Sequence, residues 1–154
     1  MRIPFSSLMV LPFSDAATAE VARRTWPVGS EVKGAFHFEP AVAPTPEAWT
    51  IPPDYFEEMN NASRTNASSI VEAAIAKLKQ TLPASSKITG QFVQGFPKSV
   101  ILDEAERWGA DLIVVGSHGY RAWERLLLGS VSQAVVAHAK CSVEVVRNRN
   151  GTKG

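Results

Sequence analysis

Two glycines three positions apart, Gly116 and Gly119, are followed after nine residues by the pair Gly129-Ser130. The apolar run DLIVV precedes this stretch and the helically spaced VSQAVVAHA follows it. A glycine lets backbone N–H groups approach a ligand with no Cβ in the way. The first turn of a helix offers unbonded N–H groups and the positive end of its dipole to an anion. The residue types and spacing describe either a phosphate cradle or a glycine-rich turn with a purely structural role. The pattern is not G-x-G-x-x-G. Nor is it the P-loop, which requires Gly-Lys-Ser/Thr where this chain has Leu128-Gly129-Ser130.

Other residues capable of chemistry form no recognisable set. His118, between the two glycines, is placed either to approach phosphate or simply to be exposed, and Arg121 and Arg125 either neutralise phosphate charge or are solvated. His37 is expected to pack locally and His138 to complement a helix C-terminus. The three histidines are too scattered for a metal site. Cys141 has neither an activating partner nor a second cysteine nearby, so an inert thiol is expected. Trp49, Trp108 and Trp123 read as packing residues. DEAER, residues 103–107, reads as a solvated helix face rather than a catalytic acid pair. No catalytic residues are assigned, and an enzyme is not expected.

These residues need a scaffold, and the chain is long enough for one. Its 154 residues, 45% hydrophobic, suffice for one domain with its own core. Sixteen basic against fifteen acidic residues leave a formal charge of +1, far from the basic excess that a nucleic-acid backbone calls for. The N-terminal stretch has no cleavage-site pattern, no run approaches a membrane span, and the single cysteine cannot form an internal bridge. A cytoplasmic protein with no membrane or nucleic-acid partner is expected. The Asn-x-Ser/Thr triplets at Asn61, Asn66 and Asn150 are then chance matches.

Apolar runs alternate with helical patterns. Residues 3–13 are a poor strand candidate, because Pro4 and Pro12 each remove a ladder donor. SDAATAEVARR predicts a short helix capped by Ser14 or Asp15. SEVKGAFHFEP is a strand stopped by Pro40. Residues 40–53, with five of the ten prolines, are a surface excursion. A helix is predicted from Asp54 to Leu82, its core face carried by Val71, Ala74, Ile75, Leu78 and Leu82; the first half, NNASRTNASS, is weak in helix formers. KITGQFVQG is a strand. A helix runs from Pro97 to Trp108 with Ile101, Leu102 and Ala105 inward, ADLIVVG is a strand buried on both faces, GSVSQAVVAHA is the last helix and SVEVVR the last strand. This alternation predicts a single open, doubly wound α/β sheet, with the glycine-rich loop at a strand's carboxyl end, where such sheets bind ligands.

GSHGYRAWERLLLGSVSQAVVAHAKCSVEVVR resembles the C-terminal signature of the universal stress protein family, whose nucleotide-binding motif G-x2-G-x9-G-S/T is matched by Gly116, Gly119, Gly129 and Ser130. The similarity runs back through GFPKSVILDEAERWGADLIVVGSHG and covers the chain from about Ser14 to Arg147. It implies a parallel five-stranded sheet of the adenine nucleotide alpha hydrolase-like kind, order 3-2-1-4-5, in residues 1–147, with 148–154 a flexible tail. It also implies an adenine nucleotide, ATP, ADP or AMP with or without Mg2+, held at Val115, Gly116, His118, Gly119, Gly129, Ser130, Val131 and Phe38. The same resemblance implies a homodimer through the last strand, Ser142 to Arg147.

One departure bears on function. Nucleotide-binding members end the first strand in an Asp-Gly-Ser-like turn whose carboxylate holds the adenosine part. Counting back five residues from Ser14 puts Met9 there, followed by Val10 and Leu11. The string GAT-GGT-TCT-CCC-TTT, for Asp-Gly-Ser-Pro-Phe, entered one base later reads Met-Val-Leu-Pro-Phe, the residues at 9–13. A compensated frameshift would account for both the lost carboxylate and the prolines. Two readings stay open: a stress-response nucleotide-binding module weakened by the lost Asp, and a homodimer that acts through protein contacts without nucleotide. An ATP-using enzyme of the related fold would need a Ser-Gly-Gly-x-Asp-Ser loop that the first strand lacks.

Overall fold

A computed structural model describes residues 7–10, 15–38, 52–117 and 128–147. The elements in chain order are β1 (Ser7–Val10), α1 (Asp15–Arg23), β2 (Glu31–Phe38), α2 (Pro53–Thr81), β3 (Lys87–Gln94), α3 (Pro97–Trp108), β4 (Leu112–Gly116), α4 (Ser130–His138) and β5 (Ser142–Val146). All strand pairs are parallel, and the sheet order is β3-β2-β1-β4-β5. The expected α/β class is present. Among the described residues no helix is long and apolar enough to cross a membrane.

The two faces of the sheet bury separate clusters. On one, Ala17 and Val21 of α1 and Leu78 of α2, with Trp26 and Leu82 just past the ends of those helices, close over Val32, Leu112 and Val114. On the other, Ile101 and Ala105 of α3 and Val135 of α4 close over Ala35, Ile113 and Val115. The four apolar side chains of β4 are each at most 3% exposed, the burial that its unbroken apolar run predicts for a strand covered on both faces. Each such side chain contributes about 1.5 to 3 kcal/mol.

The first strand differs from expectation. β1 is a central strand: Leu8 to Val10 pair with β2 on one side and β4 on the other. Its four residues lie between Pro4 and Pro12 in sequence, and both prolines are outside the described residues. α2 runs helically through its weak first half, as its predicted span requires; there Thr65 Oγ1 donates to the Asn61 carbonyl at 2.9 Å and Ser69 Oγ to that of Thr65 at 3.1 Å, which satisfies both hydroxyls within the helix. Asp15 is the first residue of α1 rather than its cap, and Ser14 lies outside the described residues.

α3 has both of its ends written in sequence. Pro97 takes the first helical position. Gly109 closes the helix in the left-handed conformation at φ 70°, and the Ala110 N–H returns to the Ala105 carbonyl at 2.9 Å. Glu104 in this helix corrects the reading of 103–107 as a solvated face. Asp103, Glu106 and Arg107 are exposed, but Glu104 is 3% exposed and its carboxylate receives the Lys33 ammonium of β2 at 2.7 Å. Lys33 alternates with Val32 along β2 and so enters the α3 face of the sheet.

Candidate functional site

The direction of strand addition reverses between β1 and β4: β2 and β3 lie on one side of this pair and β5 on the other. A parallel sheet opens a crevice at the carboxyl ends of the strands where this reversal occurs. β4 delivers Gly116 and Ser117 to that crevice, and α4 starts beside it.

Backbone and one hydroxyl clasp the loop between them. The Gly129 N–H donates to the Ser117 carbonyl at 2.8 Å, and the buried Ser132 hydroxyl donates to the Gly116 carbonyl at 2.6 Å. The Ser117 N–H is bound in turn to the Val146 carbonyl of β5 at 2.8 Å. The two ends of the glycine motif, Gly116 and Gly129, thirteen positions apart in sequence, are thereby brought side by side. Gly129 precedes α4 at φ −58°, and no side chain caps the helix. The first-turn amides of Ser130 and Val131 have no intrahelical carbonyl to bond, and the Ser130 side chain is exposed. Positive φ among the described residues is confined to Gly29, Gly95 and Gly109. Gly116 and Gly129 therefore do not take the left-handed backbone conformation that favours glycine.

Among the other expected site residues, Val115 is 1% exposed with its side chain in the α3/α4 cluster, and Val131 packs partly against the same cluster. Their side chains belong to or pack against the core, so only their backbone groups could reach a ligand. Phe38 is the last residue of β2 and pairs with Gln94. His118 and Gly119 lie outside the described residues, as do Arg121, Arg125, Trp49 and Trp123. Met9 falls inside β1, paired with Lys33 and Ile113, and Val10 follows it in the strand. No carboxylate is supplied at either position. Sequence reasoning missed Ser132, whose only signal is a small hydroxyl residue in the first turn of a helix that must meet the sheet.

The remaining candidates lie elsewhere. His138 ends α4 and is exposed. Cys141 lines a small cavity with Leu102, Ala105, His138 and Lys140 between the far ends of α3 and α4, away from the crevice. Burial, reinforced by Asp111, pushes its thiol above the ordinary range, which opposes thiolate chemistry. Among the described residues no group of His, Cys, Asp and Glu could hold a metal.

The universal stress protein family pattern matches residues 42–147, and the chain belongs to that family. The match begins beyond β2, so the strand in which Met9 stands lies outside it. Universal stress protein A homolog 2 of Coxiella burnetii is 57% identical over 53 residues, 34% of this chain and 36% of that protein. The chain thus matches about a third of the length of that curated relative. Among solved structures, the universal stress protein UspA from Lactobacillus plantarum superimposes with a TM-score of 0.73 at 22% identity, covering 95% of this chain and 100% of that one. A universal stress protein family protein from Arabidopsis thaliana with AMP bound superimposes with a TM-score of 0.62 at 19% identity, covering 97% of this chain and 96% of that one.

Proposed function

We propose that this chain is a stress-response regulatory module that binds an adenine nucleotide, AMP, ADP or ATP, in the crevice between β1 and β4, on a fold of the adenine nucleotide alpha hydrolase-like kind. The observation that carries the reading is the Gly129-to-Ser117 hydrogen bond of 2.8 Å, which sets the uncapped start of α4 beside the end of β4. The phosphates bind at Gly116, Gly119, Gly129 and Ser130, where the open first-turn amides of α4 donate while the Gly129 N–H stays on the Ser117 carbonyl, with His118 as a further donor. Mg2+, where present, is carried by the phosphates. The module binds rather than turns over its nucleotide. The AMP in the Arabidopsis relative supports the ligand class.

The affinity is low for the family. Without a carboxylate at Met9 the adenosine end loses one charge-assisted hydrogen bond, roughly 1.5 to 3 kcal/mol or a 10- to 150-fold weakening. Calorimetry on nucleotide-free protein tests this, with saturable AMP or ATP binding that Gly119→Val abolishes as the supporting result. Tight binding that survives Gly119→Val contradicts the cradle.

A second reading is favoured by the apolar residues at Met9 and Val10: the chain binds no nucleotide and acts as a homodimer through protein contacts. β5 is the outer strand of the sheet and contains neither proline nor lysine. An isologous pairing through residues 142–147 satisfies its open backbone groups.

A further inference from the structure

Two peptide groups at the handover from β4 to α4 are each held at both poles. In the peptide joining Gly116 to Ser117, the carbonyl accepts from the Ser132 hydroxyl at 2.6 Å and the N–H donates to the Val146 carbonyl at 2.8 Å. In the peptide joining Leu128 to Gly129, the carbonyl accepts from Gln133 Nε2 at 2.7 Å and the N–H donates to the Ser117 carbonyl at 2.8 Å. Two successive side chains of α4 thus take the two carbonyls. The Gly129 carbonyl is taken as well, by the Gln133 N–H at 2.9 Å.

The carbonyls of Gly116, Ser117, Leu128 and Gly129 therefore all have protein donors, whereas the amides of Ser130 and Val131 have no intrahelical acceptor. An anion at the start of α4 meets donors and no open carbonyl among these four.

The two peptides differ in what resists their turning over. Reversing the first carries Ser117 toward positive φ, which its Cβ opposes. Reversing the second carries Gly129 from φ −58° toward positive φ, which glycine takes without steric cost. Only hydrogen bonds keep this second peptide in place. Once reversed, it points the Leu128 oxygen where the Gly129 N–H now points, and sets a negative pole beside the phosphate. Gln133 is exposed and belongs to neither core cluster. Its side-chain amide works on this carbonyl.

We infer that Gln133 is a specificity-determining residue of the crevice: acting through the peptide between Leu128 and Gly129, it keeps a carbonyl oxygen turned away from the phosphate and so favours the more highly charged phosphate. This rests on the nucleotide reading proposed above. Gln133 does not touch the ligand, and its role is one of positioning.

Gln133→Met tests it, because methionine matches the length and helix propensity of glutamine but offers no donor. In the ligand-free variant, amide hydrogen exchange at Gly129 accelerates as its N–H leaves the Ser117 carbonyl. Exchange at position 133 stays unchanged, because that N–H remains on the Gly129 carbonyl. Equal acceleration at both positions is fraying of the helix start and overturns the positioning role, as does no acceleration at Gly129. Calorimetry at a pH of about 8, where the phosphate of AMP carries two charges, reads the selectivity. AMP binds roughly 3- to 10-fold more weakly to the variant than to the wild type. The methyl ester of AMP, with one charge, loses roughly 2- to 3-fold, since the repulsion scales with charge, and adenosine loses nothing. An equal loss for all three ligands, or none for AMP, overturns the selectivity. Absence of saturable AMP binding to the wild type overturns the nucleotide reading itself, a failure that the exchange result does not share.

Discussion

Lys33 of β2 and Glu104 of α3 meet inside the protein with 2.7 Å between Nζ and Oε1, the lysine side chain 14% exposed and the glutamate 3%. Arg107, one turn on, donates to the other carboxylate oxygen. The Lys33 ammonium also lies 5.1 Å from the centre of the Trp108 ring, within cation–π range. The cluster ties α3 to the middle of the sheet, below the crevice that α3 and α4 flank.

Lys33→Met removes one of the two cations on Glu104 and leaves it with Arg107 alone, so the expected cost is that of one charged hydrogen bond, about 1.5 to 3 kcal/mol. Lys33→Met combined with Glu104→Leu removes both charges and should recover most of that loss. Urea unfolding of the two variants checks it. Equal destabilisation by the single and double variants would show that packing, not charge, holds α3.

The same cluster makes stability depend on pH. Burial raises the Glu104 carboxyl, but hydrogen bonds from Lys33 and Arg107 outweigh it and hold the group below the ordinary carboxylate range. A lowered folded value means the contribution is present above the unfolded value, about 4.3, and is lost as pH falls through the folded one. The stability gap between wild type and Glu104→Gln should therefore narrow as pH falls below about 4. Chemical unfolding from neutral to acid pH reads this directly, and a constant gap contradicts it.

Ser132→Ala removes the buried hydroxyl that binds the Gly116 carbonyl. The expected loss is about 1 to 2 kcal/mol of stability, with weaker AMP binding because α4 is less firmly set against β4. Urea unfolding and AMP calorimetry on the same sample measure both. Unchanged stability would show that the backbone clasp alone holds the loop.

What was legible in the sequence was whatever a local pattern determines. The apolar run of β4 and the Pro97 start of α3 needed nothing from distant residues. β1 was illegible because four residues between prolines become a central strand only through the neighbours that bind them on both sides. Glu104 was misread because DEAER has three exposed charged residues around it, and only the alternation of Val32 and Lys33 in β2 points to a buried partner. In the candidate site the glycine spacing was legible, but the clasp from Ser132 and the Ser117 carbonyl depends on how β4 and α4 meet.

The central claim is that an adenine nucleotide occupies the crevice where β4 hands over to α4. Titration of isotope-labelled, nucleotide-free protein with AMP, followed by amide NMR, tests it residue by residue. Saturable shifts are expected at the amides of Gly116, Gly129, Ser130 and Val131, with Val143 to Val146 and Cys141 unmoved. No shift at millimolar AMP, or shifts confined to β5 and the Cys141 cavity, would contradict the account.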